Sequence, residues 1–138
     1  MLHLIKLSVG TEDIEDLAAW QARRLAKSRR VFHTTRMTPR RTPELLDGGS
    51  IYWVIKGYVQ VRQRLLAIEP AVNQEGRPCN HLILEPKLVR TVPRAHRAFQ
   101  GWRYLEPADA PPDLDSASGE LADMPPDMAA QLRELGLL

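Results

Sequence analysis

Apolar and polar positions alternate at the start of the chain, where Leu2, Leu4 and Lys6 fall on one side of an extended segment and His3, Ile5 and Leu7 on the other; this predicts a strand over His3–Val9, closed by Gly10. Between residues 12 and 28 the period changes to that of a helix: Ile14, Leu17, Ala18 and Leu25 form one stripe, with Trp20 at its edge and expected in the core. Thr11 is the expected cap. Glu12, Asp13, Glu15 and Asp16 crowd the first turns, and Arg23, Arg24, Lys27, Arg29 and Arg30 the other end, as the helix dipole favours.

VFHTTRM reads as a strand that ends before Pro39, followed by a short helix, Pro43–Leu46, with Thr42 as N-cap. Gly48-Gly49 turns the chain into a strand with Tyr52, Val54 and Lys56 on one side and Ile51, Trp53 and Ile55 on the other. Gly57 marks a tight turn or bulge. From Tyr58 to Glu69, Gln60, Arg62 and Arg64 alternate with Val59, Val61 and Leu65, while Leu66 and Ile68 shift the phase as a bulge would. Helix is the rival assignment, since Val61, Leu65 and Ile68 also fit helical spacing. NQEGRP is a turn, His81–Leu84 a strand, and Pro86 and Pro93 confine the next stretch to an edge or an irregular crossing. A last short strand falls at Trp102–Leu105.

At Glu106 the composition turns to Pro, Asp, Ala and Ser, which predicts an extended or disordered tether over 106–127; beyond it lies a closing helix over 128–138, with Met128, Leu132 and Leu135 on one face. The domain plan is thus a single α+β domain at 1–105, a tether and a terminal helix. Strands outnumber helices without βαβ repetition, so the expected fold is a curled, mostly antiparallel sheet with an N-terminal helix and a short C-terminal one.

Charge changes the picture more than composition does. A net charge of +2 over 138 residues hides a strong segregation. Residues 21–105 hold 17 Lys/Arg against 5 Asp/Glu, a net +12, whereas residues 1–20 carry −3 and residues 106–138 carry −7. That block of positive charge argues for a polyanionic partner, and the acidic tail for an internal competitor lying across it. One cysteine, Cys79, excludes an internal disulfide and a multi-cysteine zinc site and suits the cytoplasm; no apolar run is long enough to span a bilayer, so no membrane partner is expected.

Several blocks, HLIKLSVG, DLAAWQ, TRMTPRR, GGSIYWVIKG, QVRQR and FQGWRYLEPADAPPDL, resemble an uncharacterised alphaproteobacterial family, the domain of unknown function numbered 1489. The resemblance covers nearly the whole chain and implies no activity. In layout, a short helix, a Gly turn and a long hairpin with basic residues resemble PUA-like and ASCH-like barrels, and this second resemblance implies RNA or nucleotide binding.

The constellation with the most chemistry is basic and aromatic: Arg36, Arg40 and Arg41 before the Gly turn, Tyr52, Lys56, Arg62 and Arg64 after it, and Trp102 and Arg103, with Tyr104, late in the chain. Arginine forks bind phosphate and aromatic faces stack bases, at about 1 to 3 kcal/mol per base, so single-stranded RNA is the expected partner. For Trp53 the bland reading, core packing, is preferred. Catalysis is the weaker reading. Cys79 and His81 share a strand face without an orienting third group, His3, His33, His81 and His96 lack metal-site spacing, Asp47 and Glu44 serve a short helix as well as they would a reaction, and no phosphate-binding glycine loop is present. No cofactor or metal is expected. The alternative is a protein-interaction or assembly factor docking a protein partner through residues 106–138.

Overall fold

The computed structural model describes residues 1–114. Seven strands, β1 (His3–Leu7), β2 (Val31–Thr35), β3 (Ser50–Ile55), β4 (Tyr58–Val72), β5 (Pro78–Leu84), β6 (Val89–Ala95) and β7 (Trp102–Leu105), form one sheet in the order β2-β5-β4-β3-β1-β7, with β6 also paired to β4. Two helices, α1 (Ile14–Ser28) and α2 (Thr42–Leu46), complete the described elements together with a 3-10 turn at Pro107–Asp109. The fold is therefore mixed α+β. Only β1 and β3 run parallel among the described pairs. The sheet path ends at β2 and β7, and the barrel closure that the layout suggested is not made.

The β3–β4 hairpin turns on two residues, Lys56 (φ 50°) and Gly57 (φ 83°), since Ile55 pairs with Tyr58. Two positive φ values match the right-handed twist of the flanking strands. Lys56, expected on a strand face, is thus in the turn. Directly beyond it Val54 pairs with Val59 but Trp53 with Val61, which makes Gln60 an extra residue and reverses the pleat. The expected alternation of Gln60 with Val59 and Val61 is corrected accordingly. Gln60 is buried with its amide donating to Ile55 O (2.6 Å), Val59 joins Tyr52 and Val54 on one face, and Val61 and Leu65 join Trp53 on the other. Leu66 is a second bulge, between Leu65 and Ala67, as its phase predicted.

The two faces carry separate cores. On one, α1 lays Ile14 and Leu17 against Leu4, Ile51, Trp53, Val61 and Leu82. The helix cap is Asp13 rather than Thr11: Asp13 Oδ1 accepts the Asp16 amide (2.8 Å), whereas the Thr11 hydroxyl donates to Ser8 O (3.0 Å) and so stitches the preceding loop. A polar knot ties α1 to the sheet, for Gln21 and Gln63 exchange amide hydrogen bonds (both 2.7 Å) while Gln63 Oε1 also accepts Trp53 Nε1 (2.9 Å). Gln63 is fully buried, so each of these groups would otherwise be an expensive orphan.

The opposite face has a smaller core of Ile5, Tyr52, Val54 and Val59 under Phe99, Leu105 and Ala110. Its cover comes partly from the segment expected to be a tether. Residues 106–114 pack on the sheet: Val92 donates its amide to Pro112 O (2.9 Å), Asp113 bridges to Thr91, and Arg94 donates to Asp109 O (3.0 Å). Prolines suit this path because it forms no ladder that would require their missing amides. The remainder of the tether and the helix at 128–138 lie outside the described residues. α2 begins at Thr42 with Arg41 as N-cap, one residue earlier than expected, and the Thr42 hydroxyl bonds back to Pro39 O (3.2 Å). Behind α2, Gly49 admits no side chain, because a Cβ there would meet the carbonyl oxygens of Leu2 and Leu45. No helix among the described residues is long and apolar enough to cross a membrane.

Candidate functional site

Where α1, β1, β2 and β3 converge, a cavity of about 480 Å³ opens, within the roughly 300 to 1,000 Å³ typical of small-molecule sites. Its floor is Trp53 and His33; one wall is the flank of α1 bearing Asp16, Trp20 and Arg23, which helical spacing puts on one side; the rim is the loop from Ser8 to Thr11. Lys6 enters from β1. It stands on the Leu2 and Leu4 side of that strand, the side that α1 covers, so its stem is driven into the fold by the pleat itself.

Trp20 is not in the core. It is 38% exposed, with the Arg24 guanidinium stacked 4.3 Å from its ring centre and 4.5 Å from that of Phe32, which pins the indole at the cavity wall. Trp53, by contrast, is buried as expected, its indole N–H taken by Gln63 and its ring edge-on to His33 (5.3 Å, 82°).

Electrostatically the cavity is marked by the cations Lys6 and Arg23 in its lining. Burial lowers the Lys6 pKa, and among the described residues its ammonium makes no ion pair. Burial, then the charges of Lys6 and Arg24, hold His33 down at about 4, so the imidazole is neutral at pH 7. Its Nε2 is buried without a hydrogen-bond partner among the described residues. The one acid at the cavity, Asp16, has its carboxylate engaged by the Glu12 amide (3.0 Å). Aromatic walls, a desolvated lysine and an arginine at the margin together suit a flat ligand bearing negative charge.

The basic and aromatic residues singled out in the sequence do not gather on one surface. Arg36, Arg40 and Arg41 are exposed on the loop beside β7, where Tyr104 Oη accepts the backbone amides of both Arg40 (2.8 Å) and Arg41 (3.2 Å), and Trp102 Nε1 donates to Met37 O (3.2 Å). That does bring the arginine loop and Trp102 together, but Trp102 is a buried anchor and the Arg41 side chain is shared between Glu44 (2.6 Å) and Glu106 (3.5 Å). Lys56 pairs with Glu12. Tyr52 is buried beneath residues 106–114, and Arg62 grips Asp113. Arg64 is exposed on the Arg62 side of β4, and Arg103 lies 4.7 Å over the Phe99 ring. Lys6 and Arg23 are not among the candidate site residues read from the sequence, His33 is weighed there only as a metal ligand, and Trp20 is expected in the core. The signal that could have found them is Lys6 itself, a lysine in the apolar register of its strand.

Cys79 and His81 border a second hollow of about 470 Å³, where Cys79 is buried, His81 stacks on Phe32 (4.4 Å), and the cation Arg24 is already engaged with Phe32 and Trp20. Among the described residues no group of three His, Cys, Asp or Glu is placed to hold a metal ion.

A family model described as a protein of unknown function, DUF1489, matches residues 4–138, and the chain belongs to this family. No curated protein and no solved structure matches it.

Proposed function

We propose that this member of the family binds single-stranded RNA, taking one base into the cavity between α1 and the sheet and leaving the dispersed arginines to track the backbone. Trp20 and Trp53 supply apolar walls for the base, and Lys6 with Arg23 meets the adjoining phosphate. The observation that carries this reading is the ammonium of Lys6, without an ion-pair partner among the described residues, within a cavity walled by two indoles. Burial costs the charged form of this lysine hydration, and a bound anion would replace the water it has lost. The exposed Arg36, Arg40, Arg64 and Arg103 add long-range attraction for a polyanion.

Fluorescence anisotropy with labelled single-stranded RNA at low and moderate salt tests the reading. Binding should weaken as salt rises, because phosphate contacts release counterions. Trp20→Ala and Lys6→Met should each weaken it about tenfold, the scale of one lost stacking or charge contact. Undetectable or salt-indifferent binding by the full chain removes the nucleic-acid reading; binding that is unaffected by both substitutions removes the cavity from it.

A further inference from the structure

On the face opposite α1, the Arg62 guanidinium holds Asp113 in a fork, Nε to Oδ1 at 2.7 Å and Nη2 to Oδ2 at 2.8 Å, while its Nη1 donates to Ser50 Oγ (3.0 Å). Two parallel bonds from one guanidinium are also how arginine takes a phosphate. Three features set this pair apart from a surface salt bridge. Arg62 rises from β4 directly opposite Tyr52 of β3, so its base is fixed by the sheet. A hollow of about 350 Å³ opens beside it, lined by His3, Ser50 and Tyr52. His3 Nδ1 accepts the Ser50 amide (3.0 Å), which leaves the proton of the neutral ring on Nε2 as a donor. Burial first, and then the Arg62 charge, keeps that ring neutral.

The donors therefore come from the sheet, whereas the acceptor comes from a segment laid over it. Asp113 arrives on residues 106–114, a segment also held by Val92 to Pro112 O and by Arg94 to Asp109 O, bonds to backbone oxygens that do not depend on the Asp113 carboxylate. We propose that Arg62, with Ser50, Tyr52 and His3 around it, is an oxyanion site for a phosphate group, and that the Asp113 carboxylate occupies it as a built-in competitor. The site is separate from the α1-face cavity and does not rest on the RNA reading. Its ligand chemistry is a phosphate, from a small ester or from a nucleic-acid strand. A dianionic phosphate offers three acceptor oxygens where the carboxylate offers two, enough to engage Arg62 and the His3 and Tyr52 donors together.

The test uses the full chain and inorganic phosphate in calorimetric titration at low salt. Asp113→Asn keeps the shape of the segment and removes the charge, and it should bind phosphate at least tenfold more tightly than the unaltered protein. The gain should vanish in the Asp113→Asn/Arg62→Gln double variant. A folded Asp113→Asn protein with no gain, or a gain that survives loss of Arg62, overturns the proposal. In the unaltered protein, the NMR signal of the Arg62 Nε–H should shift saturably as phosphate displaces the carboxylate. No shift overturns the proposal even where Asp113→Asn fails to fold. Repeating the titration with single-stranded RNA identifies the source: a gain shared by RNA assigns a strand phosphate, and a gain confined to inorganic phosphate assigns a small ester.

Discussion

The two faces of this sheet treat positive charge in opposite ways. Under α1, Lys6 is carried inward by the strand register and pairs with no acid among the described residues, while on the far side Arg62 is met by a bidentate carboxylate delivered from 51 residues away in the chain. Both are cations in partly buried surroundings. One is left with a desolvation cost and the other has that cost offset, so the first invites a ligand from outside and the second already holds a stand-in for one. The comparison teaches that the pleat decides how a cation is met: among the described residues Lys6, on the α1 side, has no counter-charge, whereas Arg62, on the other side, is supplied with one.

The sharpest way to break the comparison is to cut the α1 face loose. Gln63→Ala would orphan the Trp53 indole N–H and the Gln21 amide in a buried site, and about 3 kcal/mol of unfolding free energy should be lost, measured by urea denaturation. A loss well under 1 kcal/mol would mean that α1 is held by its apolar stripe alone.

Acid probes the same face. The depressed pKa of His33 means that the fold favours the neutral ring, so its contribution is fully present above the ordinary value of 6.5 and is lost as pH falls toward about 4. Stability should decline across that window by on the order of 2 to 3 kcal/mol, and His33→Phe should flatten the decline. His3, shifted in the same direction on the opposite face, leaves a smaller residual slope in that variant. Equal slopes in the two proteins would show that His33 is not the titrating group.

On the face covered by residues 106–114, Arg62→Gln should cost about 1 kcal/mol, the scale of a partly exposed ion pair, and should quicken hydrogen exchange of the Val92 amide, which bonds to Pro112. Amides of α1 should keep their protection. Uniform quickening across both faces would show that the two cores do not open separately.

The smallest effect sharpens the contrast most. Lys6→Met retains the stem, removes an ammonium that no acid among the described residues pairs with, and should leave the melting temperature unchanged or slightly raised, by about 0.5 kcal/mol in free energy. A clear loss of stability would mean that Lys6 has a structural partner after all.

Much of this architecture could be read from local signals. Gly48-Gly49, Gly57 and NQEGRP announced the turns, alternation announced β1 and β3, and the 3.6-residue stripe announced α1, all of them features within one element. What escaped depended on distant partners or on a single extra residue. Val59 and Val61 look equivalent in an alternating run, yet the bulge at Gln60 sends them to opposite cores. Trp20 sits at the border of its helical stripe, and only Arg24 and Phe32 decide that it faces outward. The Pro- and Asp-rich run after Leu105 has the composition of a linker, and nothing local reveals that Asp113 meets Arg62. The candidate site was the least legible part, because its members lie on four elements and its defining trait is a half-buried lysine with no ion-pair partner among the described residues.

The place of β1 in the sheet bears on how the protein is made. That strand lies between β3 and β7, pairing Leu4 with both Ile51 and Tyr104. The strand nearest the start of the chain therefore waits for nearly everything described here to be synthesised before its second edge is covered. Loop closure over such separations is slow, and an apolar strand with an open edge is a surface on which nascent chains associate. Lys6, the lysine of the cavity, also interrupts the apolar run of that waiting strand, as gatekeeping charges do in strands prone to self-association.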